Sequence, residues 1–531
     1  MGTAFFDKTV KFLGRSDNPA AIDILRVLLD DPDWKTKSLA FDALFMKKDP
    51  AIFLELFSRF LLNEEDWLNT EAINPDRLAR LADSVIRGND LQLTQLAINM
   101  LLKHRVYDGL KSILPLLDSP REDIATLAAS SAYSLAEKFY EELAACSTPI
   151  EVRNMDRRRE WLSSELDDPV RRFGVHGMVE PIKAFLLVTK KDYPSFLGVM
   201  TDQHSQAVKT ILDLLENGEH GGYIRLLLSF VEDAESLPLI DIIIAKRSDV
   251  RFVRNLLAVI GPQPSQNTKQ ALKRFKDFAW LKLDHPDLPE MIDGLESGFV
   301  QLITNISLPR ERTIELLRYV FAHCSPEGRR TAADVLRGFT GDDYNAFILE
   351  VVDDMDPIVC STILKLLKSR GFKEADQVIM RCVDRQEPEV LQTIYDLMPD
   401  FHIDAYLQKV EQLPEPTAKA LGRIVRKVDM GTDKMLATEI GSTTPIRRVS
   451  AIHSIQHIGL GKEFQDKLIQ IVQEDEEINV RIAACEALAT VLTIEAIRTL
   501  KEATQERAFA LRNAANEAVE KWMQLYNLSK K

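Results

Sequence analysis

The sequence predicts an all-α fold, a right-handed α–α superhelix in which pairs of helices stack as repeats. Three observations carry this reading. Apolar residues recur at helical spacing along most of the chain, short acidic or proline-containing turns interrupt them at a near-constant interval, and helix punctuators are scarce. The 22 glycines and 23 prolines in 531 residues fall below the roughly 12% of an average chain. A chain this long exceeds what one hydrophobic core supports, but a repeat array escapes that limit because each unit packs only on its neighbours.

The interval is clearest in the last 220 residues. The residue that opens each second helix serves as an anchor: Pro326, Pro357, Pro388, Pro416, Pro445, Ile478 and Ala508, spaced 28 to 33 residues apart. Proline suits the first helical turn, where its missing N–H costs nothing. Counting from each anchor, the sixth position holds Ala332, Ile363, Ile394, Gly422, Ala451, Ala484 and Ala514. The tenth holds Leu336, Leu367, Met398, Arg426, Ile455, Leu488 and Ala518. Residues four apart share one helix face, so these columns predict a buried seam with small side chains where helices approach closely. A first helix precedes each anchor with its own stripe, such as Leu316, Leu317, Val320 and Phe321, or Leu468, Ile469 and Val472. Two such helices cannot bury their apolar faces alone, and stacking of repeats does it.

The run Asp475–Glu477, Val480-Arg481, Ala483-Ala484 and Leu488 resembles the HEAT repeat, and the period resembles the shorter bacterial-type units. The resemblance implies that a basic residue three positions after the anchor pairs with acidic turn residues next door. Arg329, Lys419, Arg448 and Arg481 fit that place, while Cys360, Leu391 and Leu511 interrupt the ladder. It implies an architecture and no particular activity.

The regular repeats start at about residue 311. Earlier copies are more divergent: Asp118-Ser119-Pro120 with Ile124 and Ala128, Asp30-Asp31-Pro32 with Ala40 and Leu44, and Asp249 with Val253-Arg254. Polar residues 63–76 read as an inserted loop. Residues 151–172 carry six arginines and six acidic residues, and Gly174 and Gly177 disturb the helix that follows. Gly261, Pro262 and Pro264 cannot sit inside one helix, so 261–268 is expected to be a hinge or linker. It would divide residues 1–260, with divergent repeats, from 269–531.

The formal net charge of −14 argues against wholesale coating of nucleic acid, which needs clustered Lys and Arg. The five cysteines are odd in number and widely spread, without a C-x-x-C pair. They predict free thiols rather than a disulfide framework or zinc site, and hence a reducing, cytoplasmic setting. Residues 1–14 lack a signal-peptide core, with Phe5, Phe6, Val10 and Leu13 at helical spacing instead. No stretch approaches the 18 apolar residues of a membrane span.

Catalytic motifs fail individually. Gly459-Leu460-Gly461-Lys462 ends like a phosphate-binding loop, but Gln456 stands at its first glycine and Glu463 follows the lysine. Gly218, Gly221 and Gly222 around His220 read as a helix stop, and no G-x-S-x-G elbow occurs. The HEAT-type deoxyhypusine hydroxylases bind iron through His-Glu dipeptides, and none of the nine histidines here precedes a glutamate. HEAT-like bilin lyases offer no short motif to compare. HEAT-like DNA glycosylases need a basic, aromatic-lined groove. The segment Lys246–Lys276 with Phe252, Phe275, Phe278 and Trp280 hints at one, although these aromatics are expected in the core. His453 and His457, four apart on one helix with Glu486 a repeat away, have a spacing suited to metal, but no metal, cofactor, catalytic residue or small-molecule substrate is assigned.

The expected function is therefore a scaffold or adaptor that binds protein partners. The alternative is a nucleic-acid-binding or base-modifying protein acting through Lys246–Lys276. The resemblance implies that second helices line the concave side of the superhelix. On the helix after Pro445, a polar arc of Arg447, Ser450, His453, Ser454 and His457 lies opposite Val449, Ala451, Ile452 and Ile455. Carried onward, the eighth position gives Glu486 and Asn516 and the twelfth gives Thr490 and Glu520. Arg447, Ser450, His453, His457, Glu486, Thr490, Asn516 and Glu520 are the candidate partner-binding residues.

Overall fold

The computed structural model describes residues 2–62, 64, 74–88 and 90–529, and among them there is no β-strand. Most of segment 63–76, read above as a loop, lies outside the described residues. No helix among those described is long and apolar enough to cross a membrane. The chain forms two compact units, residues 1–309 and 310–531.

In the second unit the turn chemistry sets the helix starts. Pro326, Pro357, Pro388, Pro445 and Ile478 each open a helix, and the remaining two starts differ from their anchors by one residue, at Glu415 and Phe509. Acceptors just before two prolines complete the first turns. Ser325 accepts from the Gly328 amide, and Asp356 from those of Ile358 and Val359. Each of these seven helices packs on the next, from Pro326–Val335 through Phe509–Ser529. First helices such as Arg310–His323 and Gln465–Glu474 form the other layer, giving a two-layered α–α stack.

The seam columns form its core. Ala332, Ile363, Ile394, Ala451 and Ala484 at the sixth position are fully buried, as are Leu336, Leu367, Ile455 and Leu488 at the tenth. Arg426 is exposed, and in the last helix Ala515 takes the buried place foreseen for Ala514. Ala484 sits where helix Ile478–Leu488 meets both neighbours of its row. Ala484→Leu is expected to overpack this seam and cost about 1–3 kcal/mol, read as a lower urea midpoint.

The charge ladder forms in part. Arg329 pairs with Asp354 at 3.0 Å, Arg448 with Asp475 at 2.8 Å and Arg481 with Glu506 at 2.8 Å. Lys419 instead pairs with Glu415 on its own helix at 2.5 Å. Its single amine follows the i,i+4 carboxylate within reach rather than the adjacent turn.

The first unit repeats the design less regularly. Helices Leu91–Lys103, Glu122–Ala145, Glu180–Val188, Gly221–Val231, Val250–Ile260 and Glu296–Asn305 pack successively in a row. The arginine-rich segment is one helix, Pro149–Arg171, started by a Thr148/Glu151 capping box. Residues 261–268 are not the division between units, which falls at Pro309/Arg310. Gly261, with φ +60°, ends one helix, Ser265 caps the next, and helix Gln266–Leu272 takes up the rest of that segment. Pro262 and Pro264 thus shape a short turn inside the first unit, as the backbone rules for proline require.

A recurring device has no local sequence signal: arginines that cap helix ends or the turns after them about one repeat away, most of them earlier in the chain and, for Arg159, later. Arg247 donates to the carbonyls of Leu215 and Gly218, both at 2.8 Å. Arg159 bonds those of Val188 and Thr189, Arg274 those of Phe230, Asp233 and Ala234, and Arg385 those of Asp354 and Met355. The last carbonyls of a helix lack intrahelical partners, and the guanidinium fork reaches two or three at once.

Candidate partner-binding face

Helix Pro445–Ile458 holds four of the eight candidates. Its buried arc is wider than a one-faced wheel allows, because it contacts second helices on both sides and first helices behind. Ser450 is buried and Ser454 fully so, the latter hydroxyl donating to the Ser450 carbonyl at 2.6 Å. These serines belong to the close-packed seam, which corrects their placement on the polar arc. Small hydroxyls fit there because they bond their own helix and admit a near neighbour.

Arg447, His453 and His457 remain on the open strip. Arg447 is exposed and lies 3.6 Å from Glu439. His453 is half-buried, with Nδ1 2.8 Å from Glu411 and Nε2 3.8 Å from Glu486 on the next second helix. The two imidazoles are inclined by 28°, their centroids 6.5 Å apart. Glu486, Asn516 and Glu520 are exposed. Thr490 is exposed but lies past the end of helix Ile478–Leu488, its hydroxyl folded onto the Ala487 carbonyl. That helix stops before its twelfth position, so the second column is broken there.

The structure thus brings together Arg447, His453, His457 and Glu486. Beside them lies a cleft of about 410 Å³, bordered by Leu407, Glu411, Glu439, Ile446, Arg447 and Ser450. Ile446 is 76% exposed. It was absent from the sequence-derived set, although its signal was available: an isoleucine at the second position of a helix, off the buried arc. Among the described residues no group of three or more His, Cys, Asp or Glu side chains is arranged to hold a metal ion.

Burial lowers the His457 pKa from the ordinary 6.5, and the neighbouring His453 adds to the effect. Glu415 and Glu411 oppose it, while Lys419 reinforces it. Its Nδ1 is shielded from solvent without a hydrogen-bond partner. The unfolded chain therefore binds this proton more readily than the folded one. The contribution to stability is complete above 6.5 and is lost as pH falls through the lowered folded value. Unfolding midpoints between pH 5 and 8 should fall on the acid side, and less so in His457→Leu. Equal acid sensitivity in both proteins would contradict this assignment.

Elsewhere the basic clusters are largely committed to the fold. Arg158 faces Asp108, Arg171 pairs with Asp167 and Arg172 with Asp118. In Lys246–Lys276, Arg247, Arg254 and Arg274 cap carbonyls. Phe252, Phe275, Phe278 and Trp280 are all buried in the core of the first unit, so they offer no stacking platform.

Within each of the two units these paired layers form an α-solenoid of the HEAT/armadillo type. No protein-family model matches the sequence, and no curated protein does. Solved structures resemble it distantly. A chain from a structure of the cadherin–β-catenin interaction aligns over 94% of this chain and 99% of its own, at 12% identity and a TM-score of 0.29. A chain from a homology model of the AP-3 complex aligns over 97% and 93%, at 12% identity and a TM-score of 0.29. The karyopherin Kap121p aligns over 97% of this chain and 53% of its own, at 11% identity and a TM-score of 0.24. This chain thus spans about half the karyopherin's length.

Proposed function

We propose that the chain is a non-enzymatic scaffold or adaptor that holds a protein partner on the second helices of residues 445–520. The short repeat interval fits the bacterial-type HEAT unit, and the concave side of such a stack is the surface offered. One observation carries the reading. Exposed Ile446 stands at a cleft lined by the Arg447–Glu439 pair and by Glu411, whose carboxylate also meets His453. An apolar centre within a polar rim is the anatomy of a protein interface. The buried or half-buried free thiols support a reducing, cytoplasmic setting.

The test is crosslinking capture from the native source with the wild type and an Ile446→Asp/His453→Ala/Glu486→Lys/Asn516→Lys variant. A specific partner lost from the variant, at unchanged helicity and unfolding midpoint, is the expected result. An identical set of captured proteins would move the interface elsewhere.

A further inference from the structure

A second groove lies in the first unit, with a volume of about 550 Å³. Its floor is Ile224 and Leu228 on helix Gly221–Val231, and Val259 on helix Val250–Ile260 forms one edge. Tyr140, Arg225 and Arg251 supply its polar contents. Arg225 is exposed and lies over the Tyr140 ring, its guanidinium carbon 5.8 Å from the centroid. Among the described residues no carboxylate pairs with it. Arg251 is held by one nitrogen only, which donates to the Glu219 carbonyl at 3.0 Å. Its other terminal nitrogen and the Tyr140 hydroxyl converge on the empty side-chain position of Gly221, at 3.5 and 3.4 Å from it.

In a protein of net charge −14, where most arginines named above face a carboxylate or cap a helix, two guanidiniums at one groove that pair with no carboxylate among the described residues are unusual, Arg225 wholly and Arg251 with one terminal nitrogen still unbonded. Each can make charge-assisted hydrogen bonds to a carboxylate, a geometry arginine favours. The apolar floor beside them suits a neighbouring aliphatic side chain. We propose that this groove binds an acidic segment of a protein partner, taking an Asp or Glu carboxylate between Arg225 and Arg251 and an apolar residue against exposed Val259, over the floor of Ile224 and Leu228. Charge complementarity favours a singly charged carboxylate over a polyphosphate. Glu232 lines the same groove, and Glu137 and Glu141 act on the adjacent His220, so a nucleic-acid backbone would meet repulsion along its length. This site is independent of the one in the second unit, and either reading can fail alone.

The experiment is fluorescence anisotropy on the full chain with labelled dodecapeptides of Ser and Leu that carry one central Glu, Gln or Lys, and a single-stranded DNA dodecamer. The Glu peptide is expected to bind at least about tenfold more tightly than its Gln counterpart, since charge-assisted bonds are roughly twice as strong as neutral ones. That preference should weaken in 300 mM salt. Arg225→Gln/Arg251→Gln should abolish the preference at an unchanged unfolding midpoint. Arg225→Gln alone, which removes no ion pair of the fold, should reduce it and serves if the double variant misfolds. Equal binding of the Glu and Gln peptides, a preference for the Lys peptide or DNA, or full binding by the variants would overturn the proposal.

Discussion

Replacing Arg247 with methionine is expected to lower the unfolding free energy by about 3–5 kcal/mol, a large share of the 5–15 typical of a domain. Arg247 is 5% exposed and packs over the Phe252 ring while bonding two carbonyls and Asp249. Methionine keeps much of the volume but removes every donor. The Leu215 and Gly218 carbonyls then lose their arginine donor, at about 1–3 kcal/mol for each group left unsatisfied. Lysine should recover part of the loss, because one amine cannot span both oxygens as the fork does. Urea titrations of the full chain, followed by circular dichroism, measure the shift in midpoint. A methionine variant within about 0.5 kcal/mol of wild type, the range of an ordinary surface substitution, would show that water replaces the guanidinium at no cost.

Arg247 also shows where the sequence stops being legible. The helix starts at Pro326, Pro357, Pro388, Pro445 and Ile478 could be placed because the signals are local: an acidic or proline-bearing turn, then apolar periodicity. The arginine clamps could not, because a helix's last carbonyls have no residue identity. Arg247 reads as one cation in a basic run until the Leu215 and Gly218 carbonyls are brought beside it. Ser450 and Ser454 were misplaced for a related reason. A helical wheel assigns one buried face, whereas a helix inside a repeat stack has neighbours on both sides as well as behind. Of the candidate face, His453 and Glu486 were legible because they stand at one position in successive repeats. Glu411 was not, since it comes from the segment after a first helix and its approach depends on how that segment folds back. The division at Pro309/Arg310 escaped as well. Pro262 and Pro264 break a helix, but a broken helix is a local event, while a compact unit is defined by which segments pack together.

Close helix approach sets up the other large effect. Gly298 lies in the first turn of helix Glu296–Asn305, against the end of helix Val250–Ile260. A Cβ there would fall on the Leu257 carbonyl oxygen and within 3.1 Å of its carbon. Both are backbone atoms of a helix, so no side-chain rotation relieves the overlap and the two helices must separate. Two effects compete in Gly298→Ala. Helix propensity favours alanine by up to about 1 kcal/mol, while forced overpacking costs about 1–3 kcal/mol and more when backbone must move. The second wins here, because the same Leu257 carbonyl accepts the Gly261 amide at 2.9 Å in the turn that ends its helix. Moving it strains that turn as well. The expected net loss is about 2 kcal/mol for alanine and more for valine. Gly174→Ala is the matched control: a Cβ there meets nothing within 4 Å, so this variant should be neutral or slightly stabilised. Thermal unfolding of the three proteins side by side decides it, and an alanine at 298 as stable as one at 174 would mean that the helices are not in backbone contact.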